Sequence, residues 1–156
     1  MEDNNMKFVY HTIQQLHDLN CSTVPKDSGI YVIDIPKGFQ VKFKNTTTAI
    51  EVFNGHSMLY PAEELQEKYE QSDKRRLYIG KAAGTNGLRQ RLRQMIQYGW
   101  RNATNKRGGR AIWQIENCYE LLEGYFICEN PRIKETELLN KYIEDYKVMP
   151  VANWVR

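Results

Sequence analysis

Between Arg75 and Tyr98 the chain switches its hydrophobic period from that of a strand to that of a helix, and this limits what it can fold into. RRLYIG is a short run of β-favouring residues, and Gly84, Asn86 and Gly87 then break the chain. Leu88, Leu92 and Met95 follow at helical spacing, predicting a helix over about 88–98. A strand that feeds a helix through a glycine-bearing loop calls for a mixed architecture.

The remaining segments agree. Ile13, Leu16 and Leu19 predict a short N-terminal helix ending near Asn20. The turn residues Pro25, Asp27, Ser28 and Gly29 precede GIYVIDI, which predicts a strand closed by Pro36 and Gly38. Phe39, Val41 and Phe43 alternate with Gln40, Lys42 and Lys44, which predicts a second strand able to form a hairpin with the first. Pro61 suits the first position of a helix ending near Ser72, with Glu63 and Glu64 in its positive first turn. AIWQIENCY predicts a short helix, LLEGYFI a strand, and Pro131 the start of a last helix reaching about Lys147. The expected fold class is α+β, a small, mainly antiparallel sheet flanked by helices. At 156 residues the chain is expected to form a single domain over 1–156.

The chain has no apolar stretch approaching the roughly 20 residues of a membrane span, and MEDNNMKFVY lacks a basic start followed by an apolar run. Cys21, Cys118 and Cys128 are odd in number and widely spaced, which suggests neither a disulfide framework nor a zinc site. A reducing cytoplasmic setting, with no membrane partner, is the expectation.

Charge is divided unevenly. Residues 74–110 contain eleven of the 22 Lys and Arg and none of the 19 acids, so the rest of the chain is net acidic. Clustered cations of this kind suit a phosphate backbone, because they bind a polyanion and release its counterions. A solvated basic face is the plainer alternative.

Helical spacing sorts the charged residues. Leu88, Arg91, Leu92 and Met95 fall at i, i+3, i+4 and i+7, so Arg91 lies within an apolar stripe, whereas Arg89 and Arg93 lie off it. An inward arginine cannot lose its proton and needs an anionic partner, which a phosphate would supply. Glu135, Leu138, Leu139 and Tyr142 repeat the pattern, so Glu135 faces inward and Glu137, about 200° around the helix, faces solvent. The two inward groups can pair structurally. Alternatively, Glu135 can hold a hard cation, since Mg²⁺ often takes only one or two protein carboxylates beside water and phosphate.

Gly29-Ile30-Tyr31 and Tyr78-Ile79-Gly80 resemble the two tripeptides that name the GIY-YIG nuclease superfamily. The lysine after the second (YIGK), GLRQR on a helix, a helical glutamate in E-x-x-L-L and a closing P-x-x-N occur in the family's order from Gly29 to Asn153. YIGKA followed by a loop and LRQRL is similar in particular to the nuclease domain of the bacterial excision-repair incision subunit.

The resemblance implies an endonuclease that hydrolyses phosphodiester bonds, with DNA as the expected partner and one Mg²⁺ or Mn²⁺ held by Glu135. It implies Tyr31 as general base with its phenolate favoured by nearby cations such as Lys81, Tyr78 as an orienting group, Arg91 as the catalytic arginine, and Asn153 supporting the glutamate. Gly29 and Gly80 belong to the motif as supporting positions. Arg89, Arg93, Arg101, Lys106, Arg107 and Arg110 are the expected nucleic-acid contacts. The alternative is a catalytically inactive nucleic-acid-binding module of the same fold.

Two departures from the family pattern stand out. A long connection separates the tripeptides, so residues 36–75 read as an insertion with its own strand and helix patterns. Met95 stands one turn beyond Arg91, where many relatives carry histidine or tyrosine, and Tyr98 or the NKRGGR loop offers a substitute. The sequence leaves the oligomeric state open.

Overall fold

The computed structural model describes residues 7–102 and 108–154. A four-stranded antiparallel sheet is built from β1 (Val9–Thr12), β2 (Gly29–Asp34), β5 (Arg76–Ala82) and β6 (Leu122–Ile127), in the order β1-β6-β2-β5. A two-residue ribbon, β3 (Val52–Phe53) with β4 (His56–Ser57), stands apart from it. The helices are α1 (Ile13–Asp18), α2 (Ala62–Gln71), α3 (Gly87–Gly99) and α4 (Pro131–Tyr146), joined by short 3-10 turns at Arg110–Gln114 and Cys118–Glu120. The chain is thus α+β, and none of the described helices is long and apolar enough to cross a membrane.

β2 is buried along all six residues because it has a strand on each side and a helical layer on each face. Alternation sends Tyr31 and Ile33 to one face, where Tyr125 of β6, Leu88, Leu92 and Met95 of α3 and Ile13 and Leu16 of α1 share a core. Ile30 and Val32 go to the other face, against Ile79 of β5 and Leu139 of α4. Each fully buried aliphatic side chain contributes about 1.5–3 kcal/mol, so these two faces supply most of what holds the layers together.

The ends of the elements follow local chemistry. Thr12 and Gln15 form a reciprocal capping box at α1. Pro131 occupies the first turn of α4, where its missing N–H costs nothing. Pro61 is the N-cap of α2 rather than its first helical residue. The helix expected over 111–119 is instead the pair of 3-10 turns, divided by a bridge from Ile115 to Phe43.

Residues 39–44 form no strand beyond that single bridge. Both edges of β2 are already taken, by β5 and β6, so no ladder is open to a hairpin partner. Alternation there reports burial alone: Phe43 enters the core, and Phe39 and Val41 pack against it. Conversely β1 is a strand that the pattern does not reveal. Val9 and Tyr10 are exposed, and pairing with β6 holds the segment extended.

Residues 36–75 are an ordered excursion. Phe43, Ala49 and Leu65 enter the same core as Tyr31 and Leu92. Gln114 fastens the segment by donating to the carbonyls of Lys44 and Tyr60 and accepting from the Tyr60 N–H. Asn54 and Gly55 both take positive φ (52° and 78°), as a tight ribbon turn requires.

Arg76 and Asp34 form an ion pair inside the protein. Arg76 of β5 donates from Nε and Nη2 to the two carboxylate oxygens of Asp34, at 3.0 and 3.1 Å, and Tyr10 donates to Asp34 Oδ2 at 2.6 Å. Burial, reinforced by the Asp34 bond, pushes the Tyr10 hydroxyl up to about 12. Asp34→Ala removes the carboxylate that two of the Arg76 donors meet, so it is expected to destabilise the fold, read as a lower urea midpoint.

Candidate active site

Seven residues line a cleft of about 170 Å³: Tyr31, Tyr78, Lys81, Arg91, Glu135, Leu139 and Asn153. Their origins explain where it lies. Tyr31 of β2 stands opposite Gly80 of β5, and Tyr78 points to the same sheet face, towards α3. Lys81 alternates to the other face, as does Ile79, which packs against Leu139 of α4. Side chains from both faces meet only around the outer edge of β5, which has no neighbouring strand.

Gly80 makes that meeting feasible. A Cβ there would lie 2.5 Å from Tyr31 Cζ and 2.8 Å from its hydroxyl, so only a bare backbone lets the Tyr31 ring cross β5 towards the edge. The rings of Tyr31 and Tyr78 lie 5.9 Å apart at 43°. At Gly29 an added Cβ would meet the Phe126 carbonyl at 2.2 Å and Leu88 Cδ1 at 2.8 Å, so this glycine sets the close approach of α3 to the sheet. Backbone at Gly108 closes over the other side, where a Cβ would fall 2.5 Å from the Tyr78 hydroxyl.

Glu135 is the carboxylate of the cleft. Its side chain is 19% exposed and accepts from Lys81 Nζ at 3.3 Å, whereas Glu137 is 62% exposed and faces Lys134 at 3.7 Å. The structural pair between Glu135 and Arg91 is not formed. Arg91 lines the cleft but is solvent-exposed and makes no ion pair among the described residues, because the stripe it borders ends at an open wall. Leu88, Leu92 and Met95 take the buried part of that stripe.

Both phenols are held neutral. Burial raises Tyr31 well above 10, with the neighbouring Tyr78 adding to the rise and Arg91 opposing it. Tyr78 is raised as well, by burial foremost. Lys81 is occupied with Glu135, and the cation that favours a Tyr31 phenolate is Arg91.

Asn153 spends its side-chain amide on β5. Its Oδ1 accepts from the Ile79 N–H and its Nδ2 donates to the Ile79 carbonyl, both at 3.0 Å. It therefore supports the cleft by fixing the C-terminal segment to the strand that carries Tyr78. Leu139 completes the lining and Gly108 lies against the Tyr78 hydroxyl, and helical spacing and the glycine pair of NKRGGR are the only sequence signals for them. Met95 is fully buried beneath Gly109, and Tyr98 is buried beside Arg110 and Tyr60, away from the lining.

The other basic residues take several positions. Arg89 donates to the Val24 carbonyl, Arg93 to that of Asn20 and Arg101 to those of Thr47 and Thr48. Arg110 donates to the Tyr60 hydroxyl. None of the four lines the cleft. Lys106 and Arg107 lie outside the described residues.

Among the described residues there is no group of three or more His, Cys, Asp or Glu that could hold a metal ion. The donor set that is present, one carboxylate with two phenols nearby, has the oxygen character a hard cation takes together with water and substrate oxygens. Compared with family models, curated proteins and solved structures, the chain matches none.

The raised phenols give a pH dependence of defined sign. An unfolded tyrosine ionises near 10 and the folded Tyr31 well above it, so its contribution to stability is intact below pH 10 and is lost as pH climbs towards the folded value. Tyr31→Phe is expected to flatten the fall of unfolding free energy above pH 10, measured by urea titration at pH 8 and at successive alkaline values.

Proposed function

We propose that the chain is a metal-dependent endonuclease of the GIY-YIG type, with the fold of that superfamily, hydrolysing phosphodiester bonds of DNA in the cleft at the β5 edge. One observation carries the reading: Tyr31, Tyr78, Lys81, Arg91, Glu135 and Asn153, scattered along the chain and singled out by the motif, line a single small cleft. An arginine with no carboxylate partner among the described residues, sharing a cleft with one carboxylate and two phenols, suits a phosphodiester with a bound divalent cation.

In this reading Glu135 holds one Mg²⁺ or Mn²⁺, which supplies positive charge to the phosphate when bound. Arg91 binds the phosphate and stabilises charge developing on it, from a position needing no rearrangement. Lys81 holds Glu135 in place through their ion pair. Tyr31 takes the proton of the attacking water. Its burial keeps it neutral in the protein alone, so the role requires that bound cations bring its pKa down. Tyr78 orients the water or the phosphate.

The same burial, with a core methionine at position 95, is what favours the second reading, a module that binds nucleic acid without cutting it. Plasmid nicking separates the two. The native protein is expected to nick with Mg²⁺ and to stop in EDTA, and Glu135→Ala to lose about 10²-fold or more in rate. Glu137→Ala should stay within about twofold, as a solvent-facing change does. Equal cutting by the native protein and Glu135→Ala would sink the nuclease reading, and binding without nicking would establish the second.

Arg91→Ala should lower the nicking rate by about 10²-fold or more with little change in melting temperature, because an exposed arginine is removed from a site that needs its charge. A large fall in melting temperature with proportionate loss of activity would assign Arg91 to the fold instead.

A further inference from the structure

A second cavity, of about 440 Å³, lies along α3 and shares no lining residue with the cleft. Lys26, Arg89 and Arg93 bring three cations to it, and the amides of Asn86, Gln90, Gln94 and Gln97 form a row at helical spacing. Every lining residue is polar and none is a carboxylate. Arg91 is two residues from both Arg89 and Arg93, about 200° around the helix, so cleft and groove flank α3 on different sides.

The two arginines are ordered without being neutralised. Arg89 is held by the Val24 carbonyl at 2.7 Å, and Arg93 by the Asn20 carbonyl at 3.1 Å from Nε and 2.8 Å from Nη2. A carbonyl fixes a guanidinium's direction but cancels none of its charge, and each guanidinium has five donors. Ordered cations without anionic partners among the described residues are what a polyanion needs at its binding surface.

A merely solvated helix face in this protein looks different. The outer face of α4 mixes signs, with Lys134 opposite Glu137 at 3.7 Å and Lys141 opposite Asp145 at 3.2 Å. α3 has no acidic residue in its whole length, and its outer face alternates guanidinium with amide. Amides donate to phosphate oxygens and both donate to and accept from base edges.

We propose that the groove along α3 is a second nucleic-acid contact, in which Lys26, Arg89 and Arg93 hold backbone phosphates and the amide row touches the strand beside them. The ligand class rests on the nuclease reading; the electrostatics of the groove do not. The substrate is then gripped on two sides of α3, once at the cleft and once where nothing reacts.

Because Arg89 and Arg93 also hold a loop, the test adds negative charge at residues whose side chains hold nothing among the described residues. Gln90 and Gln94 are exposed and make no hydrogen bond among the described residues through their side chains. Gln90→Glu with Gln94→Glu places two negative charges in the groove. Lys134→Gln with Lys141→Gln makes the same change in net charge on α4.

Affinity for a fluorescein-labelled DNA duplex is measured by anisotropy in EDTA over a range of salt. The groove variant is expected to bind about tenfold more weakly than the α4 variant, with a salt slope shallower by about 2, at unchanged melting temperature. Equal affinity of the two variants would overturn the groove. Weaker binding by the groove variant, with no nicking by the native protein in Mg²⁺, would uphold the groove and overturn the nuclease reading. Normal nicking with equal affinities would do the reverse.

Discussion

An edge strand leaves a row of backbone N–H and C=O groups without a ladder, and the cleft depends on how that row is closed at β5. A further strand would satisfy the groups and fill the space where Tyr31, Tyr78, Lys81 and Glu135 converge. The chain closes the edge with a short C-terminal segment instead. Ala152 donates to the Leu77 carbonyl at 2.8 Å, and the Asn153 side chain both accepts from and donates to the backbone of Ile79. One amide stands in for one residue of a strand, and the edge beyond it stays open. Asparagine suits the position because its side chain carries the donor and acceptor of a peptide group on a short stem.

That closure is buttressed by the excursion between the two tripeptides. Lys68 of α2 donates to the Asn153 carbonyl and lies 3.7 Å from the centre of the Trp154 ring. Tyr60 stacks on the same ring at 4.5 Å, and Arg110 in turn donates to the Tyr60 hydroxyl at 2.9 Å. Trp154 is thereby packed by a cation and by an aromatic ring, which suits a structural wedge better than a stacking platform for bases. Burial pushes Lys68 down to about 8, so holding its ammonium there has a cost that the carbonyl and the indole offset. The 36–75 segment is therefore part of what positions Asn153, and through Ile79 it bears on the strand that carries Tyr78 and Lys81.

How much could be read beforehand divides along a physical line. Helical spacing placed Glu135 inward and Glu137 outward, because which residues share a face is a local property of one helix. It also put Arg91 within the apolar stripe and facing inward, whereas the side chain is solvent-exposed, because spacing says nothing about whether the wall opposite is protein or open cleft. The alternation over 39–44 identified residues that bury, but pairing depends on whether a distant strand has a free edge, and β2 had none. β1 lacked any pattern since its extended form is imposed by β6. The resemblance singled out Asn153 as a support for the glutamate, while its bond to Ile79 depends on the whole fold bringing residue 153 to β5.

The basic segment shows why charge counts alone predict so little about roles. Of its cations, Arg76 and Lys81 meet carboxylates, and Arg89, Arg93, Arg101 and Arg110 meet carbonyls or a hydroxyl. The first kind is neutralised and contributes little to the field outside; the second is directed but keeps its charge. Removing one of the latter subtracts a structural bond and a unit of positive potential together, so its effect on nucleic-acid binding mixes two causes. Changes at neighbouring residues that bond to nothing, such as the amides of α3, alter the potential alone. On this surface the neutral side chains report on electrostatics more cleanly than the charged ones.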